Sequence, residues 1–179
     1  TRCLSDWSSD VCSSDLDPRI ARKKHVDRIW SDDLPTVQRN ARVPYSAEQM
    51  FDLVNDVESY PRFLHWCRNA RVNSRQGNTV EATLEIGVLG FQQSFRTRNT
   101  LQRPERIGIE LVSGPFRRLR GEWKFVPANP SGADVALTLR FEVTLSPFGA
   151  LFARVFEELA AVQMGAFIER AGQVYGSQT

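Results

Sequence analysis

Few side chains in this sequence have the type and spacing for covalent or acid–base chemistry. Beyond residue 33 there is one histidine, His65, and one cysteine, Cys67, two positions apart. A histidine acting as general base needs a carboxylate to orient it and a nucleophile within reach. The residues around His65 supply no such pairing. One His and one Cys this close also fall short of the four-ligand set of a structural zinc. Cys67, next to aromatic residues, reads as a small buried hydrophobe. Glu157 and Glu158 are a carboxylate pair, but adjacent helical residues point in different directions, so they read as a solvated face. The expectation is therefore a protein without catalytic or metal-binding residues and without a cofactor.

Two other groups of residues remain. The segment Pro115–Trp123, PFRRLRGEW, sets Arg117, Arg118 and Arg120 beside Phe116 and Leu119. Arginines interleaved with apolar residues suit a rim that touches anionic headgroups or RNA phosphates, although three cations alone do not make a nucleic-acid surface. The second group is aromatic: Tyr60, Phe63, Trp66, Phe116, Trp123, Phe125, Phe152 and Phe156.

The ends of the chain need separate treatment. Residues 1–16, TRCLSDWSSDVCSSDL, are Ser/Asp-rich without apolar periodicity, and they lack the basic and apolar regions of a signal peptide. From Asp6 to Leu16 they resemble one reading frame of a short-read sequencing adapter. Residues 17–33 are mixed in charge and unpatterned, so residues 1–33 are expected to be an artefactual or disordered extension and 34–179 one domain. Within 34–179 lie seventeen Lys+Arg (23 less six) and fourteen Asp+Glu (21 less seven), and sixteen of the seventeen cations are arginine. Cys3 and Cys12 fall in the extension, which leaves Cys67 without an intrachain disulfide partner. A reducing cytoplasm is the expected compartment. No apolar run approaches the ~20 residues of a membrane-spanning helix.

The elements that must position these residues follow from periodicity. Thr36–Val43 reads as a first strand. Ser46 caps a helix over AEQMFDLVND, with Gln49 at capping-box spacing, and Met50, Phe51, Val54 and Val57 form its apolar stripe. Pro61 is expected to open a short turn, PRFLHW. Alternating strands follow, in which Val80, Ala82, Leu84 and Ile86 share a face, as do Gln93, Phe95, Thr97 and Asn99, then Ile107, Ile109 and Leu111, then Trp123 and Phe125. Gly114-Pro115 interrupts the run and NPSGAD (129–134) marks a turn. Val135 to Leu145 is the cleanest period-two stretch. A long helix over about 148–175 carries Leu151, Phe152, Val155, Phe156, Leu159, Val162, Phe167, Ala171 and Val174 on one stripe, and Gly176 stops it. A sheet with one apolar face needs a cover, and this helix is the element long enough to be one.

VPYSAEQMFDLVNDVESYP, GPFRRLRGEWKF and RVFEELAAVQMGAFIERAGQVY carry a resemblance to a known family. In this order and spacing they are similar to the RatA / coenzyme Q-binding branch of the polyketide-cyclase/START-like superfamily, a branch known both as ribosome-association toxins and as bacterial relatives of the mitochondrial coenzyme Q-binding protein. His65 and Trp66 stand where relatives often carry proline. The resemblance implies an α+β helix-grip fold, a curved antiparallel sheet of six to seven strands around the long C-terminal helix. It also implies a ligand cavity lined by Tyr60, Phe63, Leu64, Trp66, Phe95, Phe116, Leu119, Trp123, Phe141, Phe152, Phe156 and Leu159. Phe63 and Phe116 are expected at loop positions facing each other across the mouth. The last helix and loops 60–67 and 114–120 would form a lid. The implied ligand is ubiquinone or a similar lipid, taken up at the inner-membrane surface. Burying about 350 Å² of apolar quinone surface would gain roughly 9 kcal/mol before ordering costs. The same resemblance implies a second role, binding the large ribosomal subunit and blocking subunit joining, with Arg117, Arg118 and Arg120 as the contact to an anionic surface.

Overall fold

The computed structural model describes residues 34–88, 90–144 and 147–176; the expectations for residues 1–33 lie outside them. In chain order the elements are β1 (Thr36–Val43), α1 (Ala47–Asn55), a 3-10 turn (Val57–Arg62), β2 (Cys67–Gln76), β3 (Thr79–Val88), β4 (Phe91–Gln102), β5 (Arg106–Ser113), β6 (Phe116–Pro127), β7 (Ala133–Val143) and α2 (Pro147–Tyr175). The strands form one seven-stranded antiparallel sheet in the order β1-β7-β6-β5-β4-β3-β2. This is the expected α+β architecture, a curved sheet with a long C-terminal helix across it. Register shifts fall at Cys67/Asn69 and Val72/Ser74 in β2, at Arg96/Thr97 in β4 and at Phe116/Arg118 in β6. Such irregularities bend a strand and increase its twist, which lets the sheet curl around a helix.

The alternation read from the sequence sorts the two faces. Val80, Ala82, Ile86, Phe95, Thr97, Ile107, Leu119, Trp123, Phe125, Val135, Leu137, Leu139 and Phe141 are buried on the inner face. The charged residues between them lie on the outer one. At the turn before β7, Gly132 has φ +90°, and a Cβ there would stand 2.1 Å from the carbonyl oxygen of Val43. Only glycine allows both the left-handed backbone and this approach of the turn to the end of β1.

Helix α1 starts on the expected capping box. The Ser46 hydroxyl accepts from the Gln49 amide at 3.2 Å, and the Gln49 side-chain oxygen accepts from the Ser46 amide at 2.8 Å. Its buried residues Met50, Phe51, Leu53 and Val54 face the core. The turn after it differs from expectation, because it begins at Val57 and carries Pro61 inside it. Its hydrogen bonds run from the amides of Ser59, Phe63 and Leu64 to the carbonyls of Asp56 and Tyr60, so the N–H that proline lacks is not needed. The Tyr60 hydroxyl donates at 2.6 Å to the carbonyl of Val54 in the last turn of α1, satisfying one of the carbonyls a helix end leaves open.

The buried stripe of α2 is Phe152, Phe156, Ala160, Met164, Phe167 and Ala171, spaced by four or three residues. Leu151, Val162 and Val174, which belonged to the expected stripe, are 55%, 64% and 47% exposed. The nine apolar residues of that stripe spread over a wider arc than one sheet can cover, and Ala160 and Met164 fill the covered face instead. The C-terminal end is fastened where the Tyr175 hydroxyl donates to the Gln49 carbonyl at 3.0 Å. Mid-helix, Arg39 Nε on β1 donates to the Ala161 carbonyl at 3.1 Å. Gly176, at φ +76°, ends the helix as expected, its amide donating to the Gly172 carbonyl.

Candidate functional site: an apolar cavity and groove under the C-terminal helix

Where the curved sheet and α2 diverge, two spaces lie side by side. The inner one, a cavity of ≈ 70 Å³, is lined by Val57, Tyr60, Trp66, Ala82, Leu84, Phe95, Thr97, Asn99, Ile109, Leu119, Trp123, Leu139, Phe156 and Gln163. The outer one, a groove of ≈ 400 Å³, is lined by Phe63, Leu64, His65, Trp66, Arg68, Gly87, Leu159, Val162, Gln163 and Ala166. Trp66 and Gln163 belong to both walls. The inner walls come from β3 to β7, the 3-10 turn and the buried face of α2, because these inner-face side chains converge where the sheet curls.

The expected lining residues divide into three groups. Tyr60, Trp66, Phe95, Leu119, Trp123 and Phe156 line the inner cavity. Phe63, Leu64 and Leu159 line the groove. Phe116, Phe141 and Phe152 line neither. Phe116 is the first residue of β6 and only 4% exposed, so the loop position expected for it is corrected. Its ring lies 5.0 Å from that of Phe152, 4.8 Å from that of Phe156 and 5.5 Å from that of Phe95. This aromatic block is core, and Phe63 does not face Phe116 across a mouth. Phe63 packs instead on Tyr60 and Phe167, at 5.9 and 5.1 Å, with the Arg170 guanidinium 5.8 Å above its ring. Residues 116–120 are strand, so the second lid loop shrinks to the Gly114-Pro115 turn.

The arginines are also placed differently from expectation. Arg118 and Arg120 lie on the outer face of β6, with Glu142 and Arg140 of β7 as their register partners. Arg117 pairs with Glu142 at 3.1 Å, Arg118 with the same carboxylate at 3.7 Å, and Arg120 with Glu110 at 3.8 Å. They form part of a cross-strand charge lattice and not a rim around the ligand space. The apparent loop in the sequence hid this, because the bulge at Phe116/Arg118 breaks the alternation that would have shown which way the arginines face. Exposed pairs of this kind add little stability each.

The polar groups inside are few. Thr97 is buried at 4% exposure, and with Asn99 it faces the inner cavity, as the alternation of β4 implies. Gln93, on the same alternation, lies apart in a shallow depression with Arg68, Glu85 and Ser94. His65 is exposed at the groove. Burial pushes the Cys67 thiol up to about 11, which leaves it a poor nucleophile near neutral pH. The Tyr60 phenol is held far above its ordinary value by burial, then by the nearby Cys67 and Asp56. Among the described residues no three His, Cys, Asp or Glu side chains gather to hold a metal, and no helix is long and apolar enough to cross a membrane.

The comparisons with known proteins agree with this fold. Residues 43–168 match the family "polyketide cyclase / dehydrase and lipid transport". The chain belongs to this family. It is 41% identical over 145 residues to the ribosome association toxin RatA of Escherichia coli K12, covering 81% of this chain and 92% of that one. It is 27% identical over 138 residues to the mitochondrial coenzyme Q-binding protein COQ10 homolog B of Xenopus laevis, covering 75% of this chain and 57% of that one. The crystal structure of the Zhui aromatase/cyclase of Streptomyces sp. R1128 superposes with a TM-score of 0.69 at 15% identity, covering 78% of this chain and 94% of that one. At that identity the likeness is one of fold. The fold thus carries proteins named for binding and a protein named for catalysis.

The lining residues that sequence reading passed over, among them Ile109, Leu139 and Gln163, sit on elements it had placed correctly. Inner-face alternation was their signal, but alternation does not tell a residue that fills the core from one that borders a space.

Proposed function

We propose that this chain binds a lipophilic small molecule between its sheet and α2, that the ligand is ubiquinone, and that the protein sequesters and delivers it without chemical change. The observation that carries the reading is the paired space under α2. An apolar inner cavity adjoins an open apolar groove, with few polar groups and none of them arranged as a nucleophile and base. Lipophilic ligands favour pockets of this composition. The relative named as a coenzyme Q-binding protein supports the choice of quinone. Loading takes place at a membrane surface, with the groove side of α2 turned toward the lipid. The protein works from the cytoplasm and visits the inner membrane.

The test is uptake. Purified chain mixed with vesicles containing ubiquinone-10 and then separated by flotation is expected to carry quinone, detected by solvent extraction and mass spectrometry. Protein that emerges quinone-free, from its expression host and from the vesicles alike, would sink the reading.

A second reading is favoured by a specific observation, the 41% identity to a protein named for ribosome association. On this reading the chain binds the large ribosomal subunit and hinders subunit joining. The convex face is the surface for it, because the cation-rich lattice of Arg117, Arg118, Arg120 and Arg140 stands there. Co-sedimentation with large subunits should then weaken steeply with added salt. Arg120→Glu combined with Arg140→Glu should abolish it while leaving quinone uptake intact. Unchanged co-sedimentation of that double variant would remove the convex face from consideration.

A further inference from the structure

Two buried polar atoms on the walls of the inner cavity have no hydrogen-bond partner in the protein: Nε1 of Trp66 and Oδ1 of Asn99. Trp66 is 9% exposed. Its indole N–H can only donate, and buried donors are almost always matched by an acceptor. Trp66 lines both spaces while its Nε1 is itself buried, so an acceptor reaches the donor once the ring moves.

The same residue separates the two spaces. Trp66, on the short segment between the 3-10 turn and β2, and Gln163, on α2, line both the cavity and the groove. The inner space of ≈ 70 Å³ is smaller than the roughly 150 Å³ of a cavity that admits benzene. Joined to the groove of ≈ 400 Å³, it falls within the roughly 300–1,000 Å³ of ligand pockets. A ligand that passes from the groove into the inner cavity has to move the Trp66–Gln163 wall, which brings its leading end to the indole.

We infer that Trp66 is both the gate and the headgroup donor of this site, its Nε1–H bonding a carbonyl oxygen on the ring of an amphiphile that enters head first. Asn99 lies on the same cavity wall, and its Oδ1 accepts only from a headgroup that carries a hydroxyl, as a reduced quinol does. The apolar tail trails along the groove over Phe63, Leu159, Val162 and Ala166. This orientation accounts for the 64% exposure of Val162, which the tail covers. The inference rests on the lipophilic-ligand reading above and adds to it the headgroup chemistry and the direction of entry. A purely hydrocarbon ligand would leave both polar atoms unmatched.

The test compares two probes with the same ten-carbon tail, decylubiquinone and decylbenzene, by calorimetric titration of the full chain and of Trp66→Phe, which keeps an aromatic ring, smaller than the indole, and removes the donor. Wild type is expected to bind decylubiquinone more tightly than decylbenzene. Trp66→Phe is expected to weaken decylubiquinone binding about tenfold, the size of one lost hydrogen bond, and to change decylbenzene binding less than twofold. A loss shared equally by both probes, or no loss, overturns the inference. If Trp66→Phe does not fold, the assigned Trp66 indole N–H resonance of wild type decides. It should shift downfield with decylubiquinone and not with decylbenzene, and an unmoved resonance overturns the inference. Wild type binding both probes equally well leaves the lipophilic-ligand reading standing and removes the headgroup role. Wild type binding neither removes both.

Discussion

Replacing Phe167 by alanine is expected to destabilise the protein by about 3–5 kcal/mol. The ring is fully buried, and its neighbours come from separate elements: Tyr60 at 5.3 Å and Phe63 at 5.1 Å around the 3-10 turn, and Trp123 at 5.3 Å on β6. It is thus the point at which α2 joins both the central sheet and the turn that carries the groove. The surrounding rings are rigid and belong to separate elements, so the site collapses poorly after truncation, and poor collapse puts a deletion at the costly end of its range. Thermal denaturation should show a fall of about 3 °C for each kcal/mol lost in a domain of this size. Phe167→Leu should recover much of it. A Phe167→Ala variant melting within a few degrees of wild type would show that α2 is not fastened here.

Alkaline pH should unfold the protein early, through Tyr60 and Cys67. In an unfolded chain a thiol ionises near ~8.5 and a phenol near ~10. The folded protein holds the Cys67 proton up to about 11 and the Tyr60 proton higher still. Between those limits the native state binds more protons than the unfolded one, so stability falls as pH rises. Each retained proton lowers it by about 1.4 kcal/mol per pH unit. The contribution of Cys67 is fully present below ~8.5 and lost by about 11; that of Tyr60 begins to go above ~10. Each ionised group also raises the cost of ionising the other, since they are electrostatic neighbours. Urea midpoints between pH 8 and 10.5 check this. Cys67→Ser should flatten the lower part of the decline and Tyr60→Phe the upper part. Curves parallel to wild type for both variants would contradict the burial of these two groups.

Much of the fold was legible because local chemistry and tertiary demand agree. Ser46 and Gln49 close a capping box whatever surrounds them, and Val135, Leu137, Leu139 and Phe141 alternate because one face of β7 is buried. Thr97 and Asn99 could be assigned to the interior from the same period of two. The arginines could not. A bulge at Phe116/Arg118 shifts the alternation by one residue, and a one-residue slip exchanges the faces. The outer limit of the α2 stripe was equally hidden. Leu151, Val162 and Val174 are apolar at helical spacing, and how far round the helix the sheet reaches depends on curvature set by bulges in other strands, from β2 to β6.

Element order, the inner and outer faces of most strands and the family all follow from the chain's local chemistry. These rest on short-range rules: caps, turns, two-residue and 3.6-residue periods. Tertiary structure decided where space is left over. Phe116, Phe141 and Phe152 pack into one another, whereas Tyr60, Trp66 and Phe95, residues of the same chemical type, border a cavity. Packing density depends on how far apart the sheet and α2 stand at each point. That separation is set by the summed bulges and twist of seven strands, which no single segment encodes.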